Sequence, residues 1–339
     1  MSRAKRKITR FEKDGQKMLR WDFDGHVRSW DLSTGELRET FQHSPPRNIV
    51  AMQLSPDAKA FVTSDEVPGE YAGGPPRAAS LWNVTTRQSR PLPDKVSAYG
   101  NFSPDSKTFA TTVDEDDGFS TAVKLFDTGT AEEKLSIPIT EPFTRIGGMQ
   151  FTPDGRLILG GSQTFPARNN WRSFESSLKL WDVASGREVA SFASEKTMVG
   201  FMRPAFSPDG RTVAATNWRG EKPKLYLFDV PGRKRLTTIM LGEKAIVREP
   251  VFSPDGKWIA VATQVIPEEL QSNRELDAED VPQPRIHLVD VALGAVRETL
   301  IAPQGFSASV CFSPDGSTLA TGGNGKVLLW DLTKPAVAH

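Results

Sequence analysis

Two groups of residues in this chain have the types and spacing to do chemistry. The first is acidic. Asp114-Glu115-Asp116-Asp117-Gly118 forms one cluster, and Glu268, Glu269, Glu275, Asp277, Glu279 and Asp280 form another, opposed only by Arg274. Carboxylates in a turn can hold calcium, which needs about six oxygens. The spacing does not match the EF-hand series of alternating aspartates, a glycine and a distant glutamate. A solvated acidic turn is the expectation at 114–118. For 268–280 it is a solvated segment, or a negative lip that steers a basic partner. The second group mixes cations with aromatics. It comprises Phe165-Pro166-Ala167-Arg168-Asn169-Asn170-Trp171-Arg172-Ser173-Phe174, the pair Trp218-Arg219, and Tyr71 among Gly69, Gly73, Gly74, Pro75 and Pro76. Arg and Trp on loops are the residue types enriched at binding hot spots. Their competing role is to fold back and cover the edge of neighbouring strands.

Enzyme chemistry has no comparable constellation. The four histidines, His26, His43, His287 and His339, are scattered, and no two share a metal-ligand spacing. No Gly-x-Ser-x-Gly elbow, phosphate loop or dinucleotide fingerprint occurs. The single cysteine, Cys311, lies in the run Ser309-Val310-Cys311-Phe312, where a small buried hydrophobe on a strand is expected. One cysteine makes no intrachain disulfide and no cysteine metal cluster. No catalytic residue, metal ligand or cofactor is therefore assigned.

Charge is balanced, with 42 Lys and Arg against 42 Asp and Glu. The chain as a whole has no pull toward nucleic acid or an anionic membrane. The basic start, Met1 to Ile8, is followed by no apolar segment of the signal-peptide kind. No run of about 18 apolar residues occurs, so no membrane span is expected. These features point to a cytoplasmic protein whose partner is a protein or peptide rather than nucleic acid.

The elements that must position these residues are written in a repeat. A Phe-Ser-Pro-Asp-Gly-like phrase is anchored at Phe11, Leu54, Phe102, Phe151, Phe206, Phe252 and Phe312. Each copy is followed by Trp30-Asp31, Trp82-Asn83, Phe126-Asp127, Trp181-Asp182, Phe228-Asp229, Val289-Asp290 or Trp330-Asp331. Copies spaced 43–60 residues apart, near the 40–45-residue period of repeats that end in Trp-Asp, indicate propeller blades of four short strands. In the last copy Ser309–Phe312 is one strand and Ser313-Pro314-Asp315-Gly316 a turn. There Pro presets φ, Asp bonds the backbone and Gly accepts positive φ. Thr318–Thr321, the Asn324-Gly325 hairpin and Val327–Leu332 complete it. Fourth strands are expected at Leu37–Phe41, Glu188–Phe192 and Arg235–Ile239 among others. The acidic segment 268–280 is the best candidate for a helix.

These residues resemble the WD40 repeat family, from about Lys7 to Leu332. The family's Gly-His pair ahead of the first strand is absent, and Gly25-His26 falls in a different turn. The resemblance implies an all-β, seven-bladed β-propeller of four-stranded antiparallel blades, with 1–339 as a single domain. It also implies that Trp30, Trp82, Trp181 and Trp330 pack between blades. Only six clear fourth strands can be found, so an incomplete closing blade is expected. Strand edges left open in this way invite pairing by another chain.

Copies that differ are where function can reside. The connection between second and third strands is long in copies two (65–78), four (162–176) and six (264–284), and the family places it on the face that also carries the blade-to-blade links. Arg47, Arg145, Arg203 and Arg248 precede first strands near the channel, opposed by carboxylates or forming an anion ring. The expected function is a non-enzymatic interaction scaffold that binds a protein or peptide through Tyr71, Arg168, Trp171, Arg172, Trp218 and Arg219. The alternatives are a small-ligand or metal-binding propeller, with or without enzymatic activity, that uses the channel, and a sensor module of a larger protein.

Overall fold

The computed structural model describes residues 8–11, 17–22, 26–31, 34, 36–42, 49–65, 78–96, 100–115, 118–168, 174–193, 204–217, 219–220, 222–242, 245–265, 283–303, 309–323 and 326–333. These form two compact units, Met1–Ile158 with Asp182–Arg187, and Leu159–Trp181 with Glu188–His339. Among the described residues there are strands and turns and no helix.

Seven antiparallel sheets follow one another along the chain. Blade one is β1 (Ile8–Phe11), β2 (Lys17–Asp22), β3 (His26–Asp31) and β4 (Leu37–Gln42). Blade two is β5 (Ile49–Leu54), β6 (Ala60–Asp65), β7 (Ala78–Asn83) and β8 (Ser89–Pro91). Blade three is β9 (Asn101–Phe102), β10 (Thr108–Asp114), β11 (Ser120–Asp127) and β12 (Glu133–Pro138). Blade four is β13 (Thr144–Phe151), β14 (Leu157–Thr164), β15 (Glu175–Asp182) and β16 (Glu188–Ala193). Blade five is β17 (Ala205–Phe206), β18 (Thr212–Thr216), β20 (Lys224–Asp229) and β21 (Lys234–Met240), with β19 (Arg219–Gly220) standing apart. Blade six is β22 (Ala245–Val247), β23 (Val251–Phe252), β24 (Trp258–Val265), β25 (Arg285–Asp290) and β26 (Ala295–Ile301). Blade seven has three described strands, β27 (Ser309–Phe312), β28 (Thr318–Gly323) and β29 (Lys326–Asp331). The fold is that of a seven-bladed β-propeller, whose last blade has three strands among the described residues.

The repeated phrase folds the same way in six copies. In blade three the Ser103 hydroxyl donates to Asp105 at 2.6 Å and accepts the Thr108 N–H at 2.9 Å. Asp105 also accepts the Lys107 N–H at 3.0 Å. The residue after Asp turns left-handed at Gly155, Gly210, Gly256 and Gly316, with φ of 71–73°. Ala58 and Ser106 adopt the same region at φ 56° and 63° in the two copies that lack the glycine. The hydrogen-bonded turn holds them there against the usual preference.

Apolar residues on both faces of the middle strands explain the layering. Val62, Ala79 and Leu81 of blade two pack with Phe102, Phe109 and Phe126 of blade three. Leu225 and Leu227 of blade five meet Ile259, Val261 and Val289 of blade six. Full burial of each such side chain is worth about 1.5–3 kcal/mol. The leucine before the blade-end residue is 1–5% exposed at Leu81, Leu125, Leu180, Leu227 and Leu288. Its counterpart Leu329 in blade seven is 66% exposed.

The terminal tryptophans are structural where their side chains are described. Trp82 stacks on Phe61 with centroids 5.5 Å apart and donates its indole N–H to Thr63 at 3.0 Å. Trp330 donates to Thr321 at 3.3 Å and packs against the blade-six core. One expectation fails. Cys311 lies on β27 but is exposed, because it takes the half-open position ahead of the anchor Phe312 rather than the core position. The Asn324-Gly325 hairpin and the candidate helix at 268–280 lie outside the described residues.

Candidate interaction face

Registers fix where the variable connections emerge. In blade six Ala245 pairs with Val265, and Thr263 pairs with Arg285. The start of the first strand, the end of the second and the start of the third therefore share one end of the blade. The long second-to-third connection leaves from that end.

The blade-four connection is folded back at its base. Phe165 is 6% exposed, and its ring lies 5.1 Å from that of Phe174. The two aromatics close the loop from either side, as the competing role for this stretch requires. Pro166, Ala167 and Arg168 remain exposed beyond the closure. Trp171 and Arg172 lie outside the described residues, as do Tyr71 and Trp218.

Blade five builds its connection onto blade six. Asn217, itself buried, accepts the Lys224 N–H at 2.6 Å and donates to the Lys222 carbonyl at 3.2 Å. One side chain thus closes both ends of a tight loop. The Thr216 hydroxyl donates to the Arg248 carbonyl at 3.2 Å. Arg219 and Gly220 form β19, which pairs with Ile246 and Ala245 of β22. Arg219 is therefore fixed on a strand of the blade-six sheet rather than on a loose loop. Lys222, Arg248 and Arg285 are exposed.

In blade three Asp114 departs from the expectation of a solvated acidic turn. Asp114 accepts the hydroxyls of Ser120 at 2.7 Å and Thr112 at 3.1 Å. Burial pushes its carboxyl above the ordinary range, against these hydroxyl bonds and the attraction of Arg145. The same Ser120 hydroxyl accepts the Ile146 N–H at 3.0 Å, joining blade three to blade four. The Arg145 guanidinium lies 5.5 Å from the Phe119 ring centroid, a cation–π arrangement. Gly118, at φ 78°, leaves room for it, since a Cβ there would sit 3.0 Å from Arg145 Nη2. Glu115 is a surface carboxylate, paired with Lys95 at 2.8 Å, and Asp116 and Asp117 lie outside the described residues. Among the described residues no three His, Cys, Asp or Glu side chains are grouped to hold a metal ion. Of the four arginines expected near the channel, Arg145 faces Asp114 and Arg248 is exposed. Arg47 and Arg203 lie outside the described residues.

A set of polar residues escaped the sequence reading. Gln53, Asn101 and Gln150 each precede the anchor residue of blades two, three and four. Gln53 Nε2 donates to Asn101 Oδ1 at 3.3 Å, and Asn101 Nδ2 donates to Gln150 Oε1 at 3.0 Å. Three consecutive blades are stitched along their first strands. The signal was present as three amides at one repeat position.

His287 is buried between two threonines. Its Nε2 is 2.9 Å from Thr263 Oγ1 and its Nδ1 3.1 Å from Thr299 Oγ1. Burial, aided by the nearby Arg285 charge, lowers its pKa to about 4. A neutral imidazole bonded at both nitrogens ties three strands of the sheet together.

The WD domain, G-beta repeat family matches residues 298–331. A Bacillus subtilis (strain 168) protein described as "Uncharacterized peptidase YuxL" is 27% identical over 213 residues. That stretch is 56% of this chain and 30% of the relative, so the chain spans under a third of that protein. Kuenenia stuttgartiensis hydrazine synthase, a propeller-type structure, superposes with a TM-score of 0.61 at 18% identity. The superposition covers 95% of this chain and 94% of that one, and it speaks for the fold alone. Among the described residues no helix is long and apolar enough to cross a membrane.

Proposed function

We propose that this WD40-like β-propeller works as a non-enzymatic interaction module, which grips a protein or peptide with the connections between second and third strands. The observation that carries the reading is the splice between blades five and six. There Asn217 and Thr216 hold the ends of the connection and the β19–β22 pairing fixes the backbone at Arg219, which the sequence places directly after Trp218. Rigid presentation lowers the ordering cost of binding. Arg168, exposed beyond the Phe165–Phe174 closure, extends the same chemistry to blade four. Tyr71, Trp171 and Arg172 supply further hot-spot residue types from sequence. Nothing in this reading requires nucleic acid or a cofactor.

The test is capture from native lysate, with wild-type chain compared with a Trp171→Ala, Arg172→Ala, Trp218→Ala triple variant. The expected result is a partner recovered by the wild type and lost by the variant. Equal recovery overturns the reading.

A second reading draws on the Bacillus subtilis relative. The matched stretch is 30% of a protein described as a peptidase, which favours a propeller that serves as one part of a larger enzyme. Hydrolysis of a fluorogenic peptide library by the purified chain, or by a longer protein that contains it, decides this reading.

A further inference from the structure

The first strands of blades two, three and four carry a polar ladder with unused ends. Asn101 is saturated. Its Oδ1 accepts from Gln53 and from the Phe102 N–H, and its Nδ2 donates to Gln150 and to the Met149 carbonyl. Gln53 and Gln150 each commit one atom to the ladder. Gln53 Oε1 and Gln150 Nε2 have no hydrogen-bond partner among the described residues, and both side chains are half-exposed. The ladder thus ends in a spare acceptor on blade two and a spare donor on blade four.

The wall beside the donor is left open. On β13 the less-buried residues are Arg145, Gly147, Gly148 and Gln150. Gly148 takes φ 60°, which breaks the strand's alternation, so that Gly147 and Gln150 share one face. A Cβ at Gly147 would meet nothing within 4 Å. Glycine within a strand often marks a close approach by a ligand or another backbone. An acceptor on blade two, a donor on blade four and an open backbone beside the donor complement a group that offers both N–H and C=O.

We infer that the first-strand edge of blades two to four binds an uncharged amide-bearing ligand, namely a short stretch of extended peptide backbone. Gln150 Nε2 donates to a ligand carbonyl and Gln53 Oε1 accepts a ligand N–H. Gly147 gives the backbone room to approach. A carboxylate fits poorly, because the Gln53 end offers only an acceptor and because Arg145 is turned onto Phe119. The site is independent of the strand connections proposed above for partner capture.

The experiment is a titration of isotope-labelled full-length chain with N-acetyl-Ala-Ala-amide, read on the side-chain amide resonances by nuclear magnetic resonance. Sodium acetate is the comparison probe. Saturable shifts of Gln53 and Gln150 with the peptide, unchanged by added salt, are expected. Gly147→Val fills the open space and Gln150→Leu removes the donor, and each should weaken binding about tenfold, or about 1.4 kcal/mol. Unsaturable shifts, equal binding of acetate, or unchanged affinity in a folded Gly147→Val or Gln150→Leu protein would overturn the inference. Lysate capture by the strand connections is unaffected by either variant, so the two readings fail separately.

Discussion

The Thr216 hydroxyl donates to the Arg248 carbonyl at 3.2 Å, tying the second strand of blade five to the split first strand of blade six. With Asn217 beside it, this bond decides whether the blade-five connection is a fixed edge or a loose loop. Asn217→Ala removes two bonds made by a buried side chain, to the Lys224 N–H and the Lys222 carbonyl. Buried hydrogen bonds contribute about 1 kcal/mol each, so a loss of about 1–2 kcal/mol is expected. Denaturant unfolding measures the loss. Faster hydrogen exchange confined to 217–224 and 245–247 shows that the edge itself has loosened.

Phe165→Ala should open the blade-four connection. The ring is buried and packs on Phe174, and truncating a buried phenylalanine costs about 3–5 kcal/mol. Part of that cost falls on the loop alone. Proteolysis is expected to cut near Arg168 before the rest of the chain unfolds. A variant that melts globally with no early cleavage would show instead that Phe165 belongs to the blade core.

Gly118→Ala tests the blade-three turn. The backbone is left-handed there and the added Cβ would press on Arg145. A loss of about 1 kcal/mol or more is expected from the conformation alone. Gly147→Ala, at an open position with ordinary φ, should be neutral or slightly stabilising.

Acidification should weaken the fold in two stages. His287 has a folded pKa of about 4 against 6.5 in the unfolded chain. The unfolded chain therefore takes up the proton first. Stability present above pH 6.5 is lost as pH falls toward 4, by about 3 kcal/mol in all. His287→Gln should flatten this stage. Asp105, Asp154, Asp209 and Asp255 are held below the usual carboxylate value by their turn hydroxyls and backbone N–H groups, and Asp315 is lowered to about 2. Their contribution is present above the ordinary aspartate value and disappears as pH falls below it. Asp114 runs the other way, because its raised pKa favours the neutral form. Melting temperature against pH, compared across wild type, His287→Gln and Asp114→Asn, separates these signs.

The blades were legible because each local choice agrees with the fold. Ser103, Asp105 and Thr108 make in the structure the turn that their identities imply, and Leu225 and Leu227 fall on the apolar strand positions. The site was only partly legible. Phe165 and Arg168 stand three residues apart in one loop, yet one closes it and the other is exposed. Loop composition does not carry that distinction. Asp114 looked like its acidic neighbours, but the end of β10 draws it inward to Ser120. The Gln53–Asn101–Gln150 ladder depends on contacts between residues 48 and 49 positions apart, which only the stacking of blades brings together.

The most direct measurement of the proposed role is hydrogen–deuterium exchange of the full chain, alone and with its captured partner. Protection concentrated in 162–168, 174–176, 217–224 and 245–249 is expected if the strand connections grip the partner. Protection confined to the outer strands β12, β16, β21 and β26, with those connections unchanged, would contradict it.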